Sequence, residues 1–210
     1  VILQWAVNSL GSVAVAAVTA ASKIQLLAIQ PMETLGLTLA TYGGQNLGAK
    51  QYERIKKGVN QAIIIGLAYS VFIYGFMELA GEKMTLLFIA KDSLERGEIL
   101  EQSKIFLRLN GLFYMFLSVL FILRNTLQGL GYSILPMMAG VSELVARTLV
   151  SVLFVGKYGY EAACLASPVA WIFADVLLIT TYVLKQKDIK RTCGYNKEKI
   201  SKKRCEANIS

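Results

Sequence analysis

The sequence predicts an all-α membrane protein, a helical bundle of five full transmembrane helices preceded by a truncated first one. Three observations carry that expectation. Apolar residues make up 55% of the 210 residues and charged residues only 17%, where a soluble domain usually carries about 25% charge. Several apolar runs reach the ~18 residues, poor in charge, that mark a transmembrane helix. Lysine and arginine also concentrate in alternate loops, the pattern that orients multi-pass proteins.

Composition narrows function as well. The chain has no histidine, which removes imidazole acid–base chemistry, histidine metal ligation and the imidazole pH switch. Cys164, Cys193 and Cys205 are too few and too scattered for a disulfide scaffold or a metal site, so neither a metal nor a cofactor is expected. A net charge of +8 is better explained by cytoplasmic loops than by nucleic acid, and no nucleic-acid partner is expected. Carboxylates at metal-ligand spacing and nucleophile–base pairs are both missing, so the chain does not read as an enzyme.

Taken in order, the chain opens with VILQWAV, without an initiator methionine or the basic segment that begins a signal peptide. Residues 1–7 are expected to end a truncated span, the whole being part of a longer protein, and Asn8-Ser9-Leu10-Gly11 closes that span. A second helix over 12–47 exceeds the ~20 residues of a straight span, so it must tilt, kink or project. Pro31 gives a reason for a kink, because it removes a backbone donor and crowds the preceding turn.

A basic loop over 49–57 holds Lys50, Arg54, Lys56 and Lys57, and a third helix follows with its apolar part over 59–77. Residues 78–97 form a mixed-charge connection containing the short amphipathic piece MTLLFIA. The fourth helix is expected to run unbroken over 98–128 to the turn GLGYS, and the fifth over 134–155 to the return GKYGYEA. The sixth covers 162–184, with Pro168 and Trp171 near its start. Residues 1–184 thus form one transmembrane lobe, and 185–210 a basic cytoplasmic tail expected to fray.

Orientation follows from the basic loops. The connections on the tail's side, 49–57 and 185–210, carry thirteen Lys and Arg, or fourteen with Arg124, against four in 79–97 and 156–161. The expected location is therefore a multi-pass position in the cytoplasmic (plasma) membrane with the C-terminus in the cytoplasm.

Polar stripes supply the candidate functional residues. At 100° per residue, Thr19, Lys23, Gln30, Glu33, Thr34, Thr38, Thr41 and Gln45 of the second helix fall within an arc of about 140°. Ala21, Ile24, Ala28, Met32, Leu35 and Leu39 take the opposite side as a lipid or core face. Gly36, Ala40 and Gly44 recur at four-residue spacing as a ridge for close helix packing. Lys23 and Glu33 cannot face lipid, where an ionised group at mid-span costs about 2.5–3.5 kcal/mol, so they either line a wet pathway or meet polar groups of neighbouring helices.

On the fourth helix, Asn110, Tyr114, Ser118, Asn125 and Gln128 lie within about 80° of one another. Phe113, Met115 and Phe116 flank them, a mixture suited to loose binding of amphipathic molecules or to ordinary interhelical packing. Glu143 and Arg147, four apart with the acid first, are expected to form a structural ion pair. Asp175 has no obvious local partner and is either a candidate proton or ion site or the partner of a group on another helix.

Three segments together resemble one family: VAVAAVTAASKI, then QPMETLGLTLATYGGQNLGAKQYERIKKG, then LRNTLQGLGYSILPMMAGVSELVAR. They resemble the second half of the multidrug and toxic compound extrusion (MATE) transporters. The family's proline-bearing second helix and its Gly-Gln-x-x-Gly-Ala exit map onto Pro31, Gly36, Gly44, Gln45, Gly48 and Ala49. Gln128-Gly129-Leu130-Gly131 and the Glu143/Arg147 helix also match family positions, and the resemblance covers residues 1–187. It implies a two-lobed, twelve-helix antiporter, with this chain as the C-terminal lobe and the N-terminal lobe as its missing partner. It further implies export of organic, often cationic, compounds in exchange for H+ or Na+.

In one respect the chain departs from the family. Some members carry a cation-binding acid in the middle of the fourth helix, whereas GLFYMFLSVLFIL here has none. The coupling acid is then expected in the N-terminal lobe. The nearest alternative function is a flippase for lipid-linked oligosaccharides or cell-wall precursors from the same wider superfamily, for which Lys23 is a small point.

Overall fold

The computed structural model describes residues 2–89 and 95–207, with side chains described for 4–89, 95–191 and 193. Seven helices account for the described secondary structure. They are α1 (Ile2–Asn8), α2 (Ser12–Gly48), α3 (Tyr52–Leu86), α4 (Arg96–Leu112), α5 (Tyr114–Gly129), α6 (Ile134–Tyr158) and α7 (Tyr160–Ala207). Four of them are long and apolar enough to cross a membrane, and the bent pair α4–α5 makes a fifth crossing if counted as one span. Lipid as the outer solvent explains the large apolar side chains left exposed, among them Ile64 and Phe72 on α3, Leu144 and Leu153 on α6, and Val176 on α7.

The core lies where α2, α3, α5 and α7 meet. The α2 face expected to be lipid or core is core: Ala21, Ile24, Ala28, Met32 and Leu39 are buried, and Leu35 packs against them. They meet Val59 and Ala62 of α3, Ile122 and Leu127 of α5, and Leu178 of α7. A second, smaller cluster ties α1 to the far end of the bundle through Ala6, Val7, Ala14 and Val155.

Helix α2 runs through Pro31 without a break. The physical reason is position: Pro31 is exposed, so the missing donor and the crowded turn fall on the outer side, leaving the core-side ladder whole. At its end Lys50 adopts φ 58, Gln51 N–H donates to the Asn46 carbonyl at 2.8 Å and Lys50 N–H to that of Leu47 at 3.0 Å. This is a Schellman stop with a lysine in the left-handed position that glycine normally takes. Helix α5 ends in the same way, with Gly131 (φ 89) in that position.

The fourth helix expected from the sequence is two helices. Helices α4 and α5 meet at 53° around Phe113. The Asn110 amide donates back to the Phe106 carbonyl at 3.0 Å and across to Cys164 of α7 at 3.4 Å. The ladder then tightens, with Phe113 N–H donating to the Asn110 carbonyl at 3.0 Å, and restarts with the Phe113 carbonyl accepting Leu117 N–H at 3.2 Å. The Ser70 hydroxyl of α3 sits 3.1 Å from the Tyr114 carbonyl, supporting the restarted turn. A side chain that competes for backbone hydrogen bonds breaks a helix in this way.

Two further expectations are corrected. Met84 to Leu86, the start of MTLLFIA, continue α3, and Ile89 beyond them is buried, so that piece is no separate amphipathic element; Ala90 at its end lies outside the described residues. Helix α7 does not fray at 185 but continues to Ala207, where the described residues end. Its extension is anchored. Ile189 and Cys193, four apart, are both buried, Lys185 Nζ pairs with Asp188 at 2.9 Å and lies 5.4 Å from the Tyr132 ring centroid. The lysine- and arginine-rich continuation is intrinsically compatible with helix once those anchors hold its start. Burial pushes the Cys193 thiol above its ordinary value.

Candidate functional site

The polar stripe of α2 points away from the bundle. Thr19, Lys23, Gln30, Thr34, Thr38, Thr41 and Gln45 are exposed and Glu33 is half-buried. Most of these groups are satisfied locally. Thr19, Thr34 and Thr38 donate to the carbonyls of Val15, Gln30 and Thr34 at 2.7, 2.9 and 2.9 Å, and Gln30 Nε2 donates to Glu33 Oε2 at 3.4 Å. Lys23 Nζ stands 5.6 Å from the Phe88 ring centroid. None of the eight residues borrows a hydrogen-bond partner from another helix in these contacts, so the face remains available.

The small ridge beside it packs on α5. A Cβ on Gly36 would come within 2.7 Å of both the Phe121 carbonyl oxygen and Asn125 Nδ2, and one on Gly44 within 3.1 Å of the Gly129 carbonyl. Between them Ala40 meets Gly129 so closely that any side chain at Gly129 would run into the Ala40 carbonyl. Backbone-to-backbone approach of this kind is what small residues at four-residue spacing permit.

The second stripe is placed differently from the expectation. Asn110, Tyr114 and Ser118 are fully buried inside the lobe, Tyr114 at 0% exposure, and Asn125 is also buried while Gln128 is exposed. These residues are buried on both sides of the break at Phe113, because α2, α3 and α7 pack against α4 and α5, so they serve interhelical packing and do not line an open surface. Gly66 of α3 lies directly against the Ser118 hydroxyl, and Gln25 Nε2 of α2 reaches Asn110 Oδ1 at 3.5 Å. The outward positions belong to Met115 and Phe116.

Glu143 and Arg147 pair as expected, Arg147 Nη2 donating to Glu143 Oε1 at 3.0 Å. The sequence did not reveal the third member. Arg124 Nη1 of α5 lies 3.7 Å from Glu143 Oε2, so the acid ties α5 to α6. Gly140 makes room, since a Cβ there would come within 2.8 Å of Arg124 Nη2; a glycine three residues before the acid was the available signal. Asp175 of α7 is 3% exposed, and neither of its carboxylate oxygens has a hydrogen-bond partner among the described residues.

The single-helix stripes do not display a half-open groove of about 460 Å³ lined by α1, α2, α4, α6 and α7. Its polar wall consists of Gln4, Ser22, Gln25, Arg147, Thr148 and Ser167, and Val18, Phe106 and Leu144 contribute apolar surface. Its residues come from five helices, so no single-helix periodicity displays it. Arg147 Nε is buried without a hydrogen-bond partner among the described residues.

These features, a lobe with an uncovered polar helix face and polar groups held inside a lipid-facing shell, match known transporters in fold. A multidrug resistance MATE family transporter of the MOP superfamily, solved in an outward-facing conformation, superposes with a TM-score of 0.81 at 18% identity, covering 90% of this chain and 42% of its own. A MOP superfamily transporter from Pyrococcus furiosus gives a TM-score of 0.74 at 19% identity, over 91% of this chain and 43% of its own. A structure of MATE in complex with MaL6 gives 0.73 at 17% identity, with the same coverage. The chain thus spans less than half the length of each. No curated protein matches the sequence significantly. The MatE family model matches residues 1–153, and the chain is accordingly a multi-pass membrane protein of the MATE transporter family.

Proposed function

We propose that this chain is the C-terminal lobe of a secondary active antiporter that exports drugs and other toxic organic compounds across the cytoplasmic membrane in exchange for H+ or Na+. The observation that carries the proposal is the α2 face from Thr19 to Gln45, which is polar, exposed and includes the ionisable Lys23 and Glu33. Against lipid, each ionised group near mid-span would cost about 2.5–3.5 kcal/mol. Against a second lobe across a wet cleft, the face costs nothing and binds substrate. Alternating access is then rocking of the two lobes around that cleft.

In this reading Glu33, with Gln30, Thr34 and Thr38 beside it, meets the positive end of amphipathic cationic substrates, and the C-terminus lies in the cytoplasm. Asp175, buried without a partner, is the lobe's candidate proton site. Asn110, Tyr114 and Ser118 serve the pathway from behind, by holding the α4–α5 bend whose outer side presents Met115 and Phe116. A flippase for lipid-linked oligosaccharides or cell-wall precursors remains the alternative, favoured by the exposed Lys23 on the same face.

The test is uptake of ethidium by everted membrane vesicles containing the intact transporter, with an imposed proton or sodium gradient. Gradient-driven accumulation is expected, and Glu33→Gln should lower its rate about tenfold at unchanged protein level. Absence of gradient-driven transport, with lipid-linked sugar movement instead, would establish the flippase. A collapse in protein level on Glu33→Gln would give that residue a structural role.

A further inference from the structure

At the end of the lobe where α2 stops and α7 leaves its apolar stretch lies a groove that export does not use. It is half-open, about 400 Å³ in volume, and runs between the α2–α3 junction and the extension of α7. Lys50 lines it from the junction and Lys190 from α7. Neither lysine has an ion-pair partner among the described residues. Cys193 is buried and its sulfur is hydrogen-bonded by the Tyr52 backbone, which fixes the α7 wall against the start of α3. Among the described residues Lys50 is also the only non-glycine residue with positive φ. A lysine held in a conformation that glycine adopts freely is strained, and strain kept at one residue points to a use for its side chain.

We propose that this groove binds the headgroup phosphate of an anionic phospholipid between Lys50 and Lys190. Depth selects a lipid. Lys190 stands six residues past Leu184, the end of the apolar stretch of α7, and Tyr52 seven before Val59, where that of α3 begins. At 1.5 Å per residue those are about 9 and 10 Å. The headgroup layer extends about 5–8 Å beyond the hydrocarbon on each side, within reach of a long lysine side chain that snorkels toward it. Charge selects an anion. Residues 49–57 carry four basic side chains against Glu53, and 185–191 carry four against Asp188. Glu53 is the only acid among the groove's lining residues, so the local field remains positive, and basic pockets between spans at the membrane surface hold lipid phosphates. The inference needs only that the lobe crosses a bilayer, and it is independent of what the lobe exports.

The test is binding of phosphatidylglycerol and of phosphatidylcholine, each carrying a fluorophore on one acyl chain, to the intact, detergent-purified transporter, read by fluorescence anisotropy at physiological salt. Phosphatidylglycerol is expected to bind at least about tenfold tighter. Lys50→Gly and Lys190→Gln should each weaken its binding at least about threefold, at an unchanged or higher melting temperature in lipid-free detergent, so that lost binding is not lost fold. Both changes together should remove the preference and leave phosphatidylcholine affinity unaltered. Lys56→Gln with Lys57→Gln removes the same charge from the same end, outside the groove, and should keep the preference within about twofold. Equal affinity for the two lipids in the unaltered protein overturns the proposal. So does full phosphatidylglycerol affinity in either single groove variant, or an equal loss in the Lys56/Lys57 variant, which would mark diffuse surface charge. Competition by soluble glycerol 1-phosphate as strong as by unlabelled phosphatidylglycerol would assign the groove to a free phosphate and overturn the lipid.

Discussion

Glu143 holds two arginines, one on its own helix and one on α5. Removing its charge leaves two half-buried guanidiniums close together without their shared acid, a much worse state than losing a solvent-exposed pair. Glu143→Gln should therefore lower the stability of the intact transporter by about 2 kcal/mol, read as a drop in melting temperature in detergent. Adding Arg147→Gln should recover part of that loss, because one of the two stranded charges is then gone, and the double-mutant cycle isolates the coupling. Sequence spacing identified the Glu143–Arg147 pair because four residues on a helix is a local relation. Arg124 is nineteen positions away from Glu143 on another helix, and no local rule connects them.

At the scale of elements, the lobe depends on how closely α2 and α5 approach. Gly129 sits against the Ala40 carbonyl, whereas Gly48 at the end of α2 faces open space. Gly129→Ala should force the helices apart and cost about 1–3 kcal/mol. Gly48→Ala should be neutral or slightly stabilising, as an alanine is in any unstrained helical position. Both are read by thermal melting. The stop of α2 makes a further prediction. Lys50 occupies a left-handed position whose cost for an L side chain is about 1–2 kcal/mol, so Lys50→Gly should stabilise, by about 0.5–1 kcal/mol after the greater chain entropy of glycine is subtracted. A fall in melting temperature would mean that the lysine side chain makes a compensating contact.

For the whole molecule, the two polar stripes make opposite predictions about access. In a cysteine-free version of the intact transporter, a cysteine replacing Thr34 should react with a water-soluble thiol reagent in at least one of the inward- and outward-open states. One replacing Tyr114 should be protected in both, since that position is sealed between helices at 0% exposure. Reaction at Tyr114 would show that the lobe opens internally during transport, and protection at Thr34 in both states would remove α2 from the pathway.

Much of this protein was legible before any coordinates. The α2 residues fell on their three faces as the 3.6-residue period required: Ile24 and Met32 in the core, Gly36 and Gly44 on the packing ridge, Thr34 and Thr38 outward. That succeeded because helix periodicity and the cost of burying or exposing each group are local properties, and because α2 is one unbroken helix. The stripe from Asn110 to Asn125 is likewise buried together, but the sequence left its use open between binding and interhelical packing, and only the neighbouring helices make that side interior.

The sequence by itself determined the solvent, the number of spans and the faces of each continuous helix, since all three follow from which side chains lipid tolerates at which spacing. Only the tertiary structure decided which helix bends, that Arg124 joins Glu143, and that Gln4, Ser22, Gln25, Arg147, Thr148 and Ser167 line one groove. Those are relations between helices, fixed by three-dimensional packing, and one-dimensional periodicity carries no record of them.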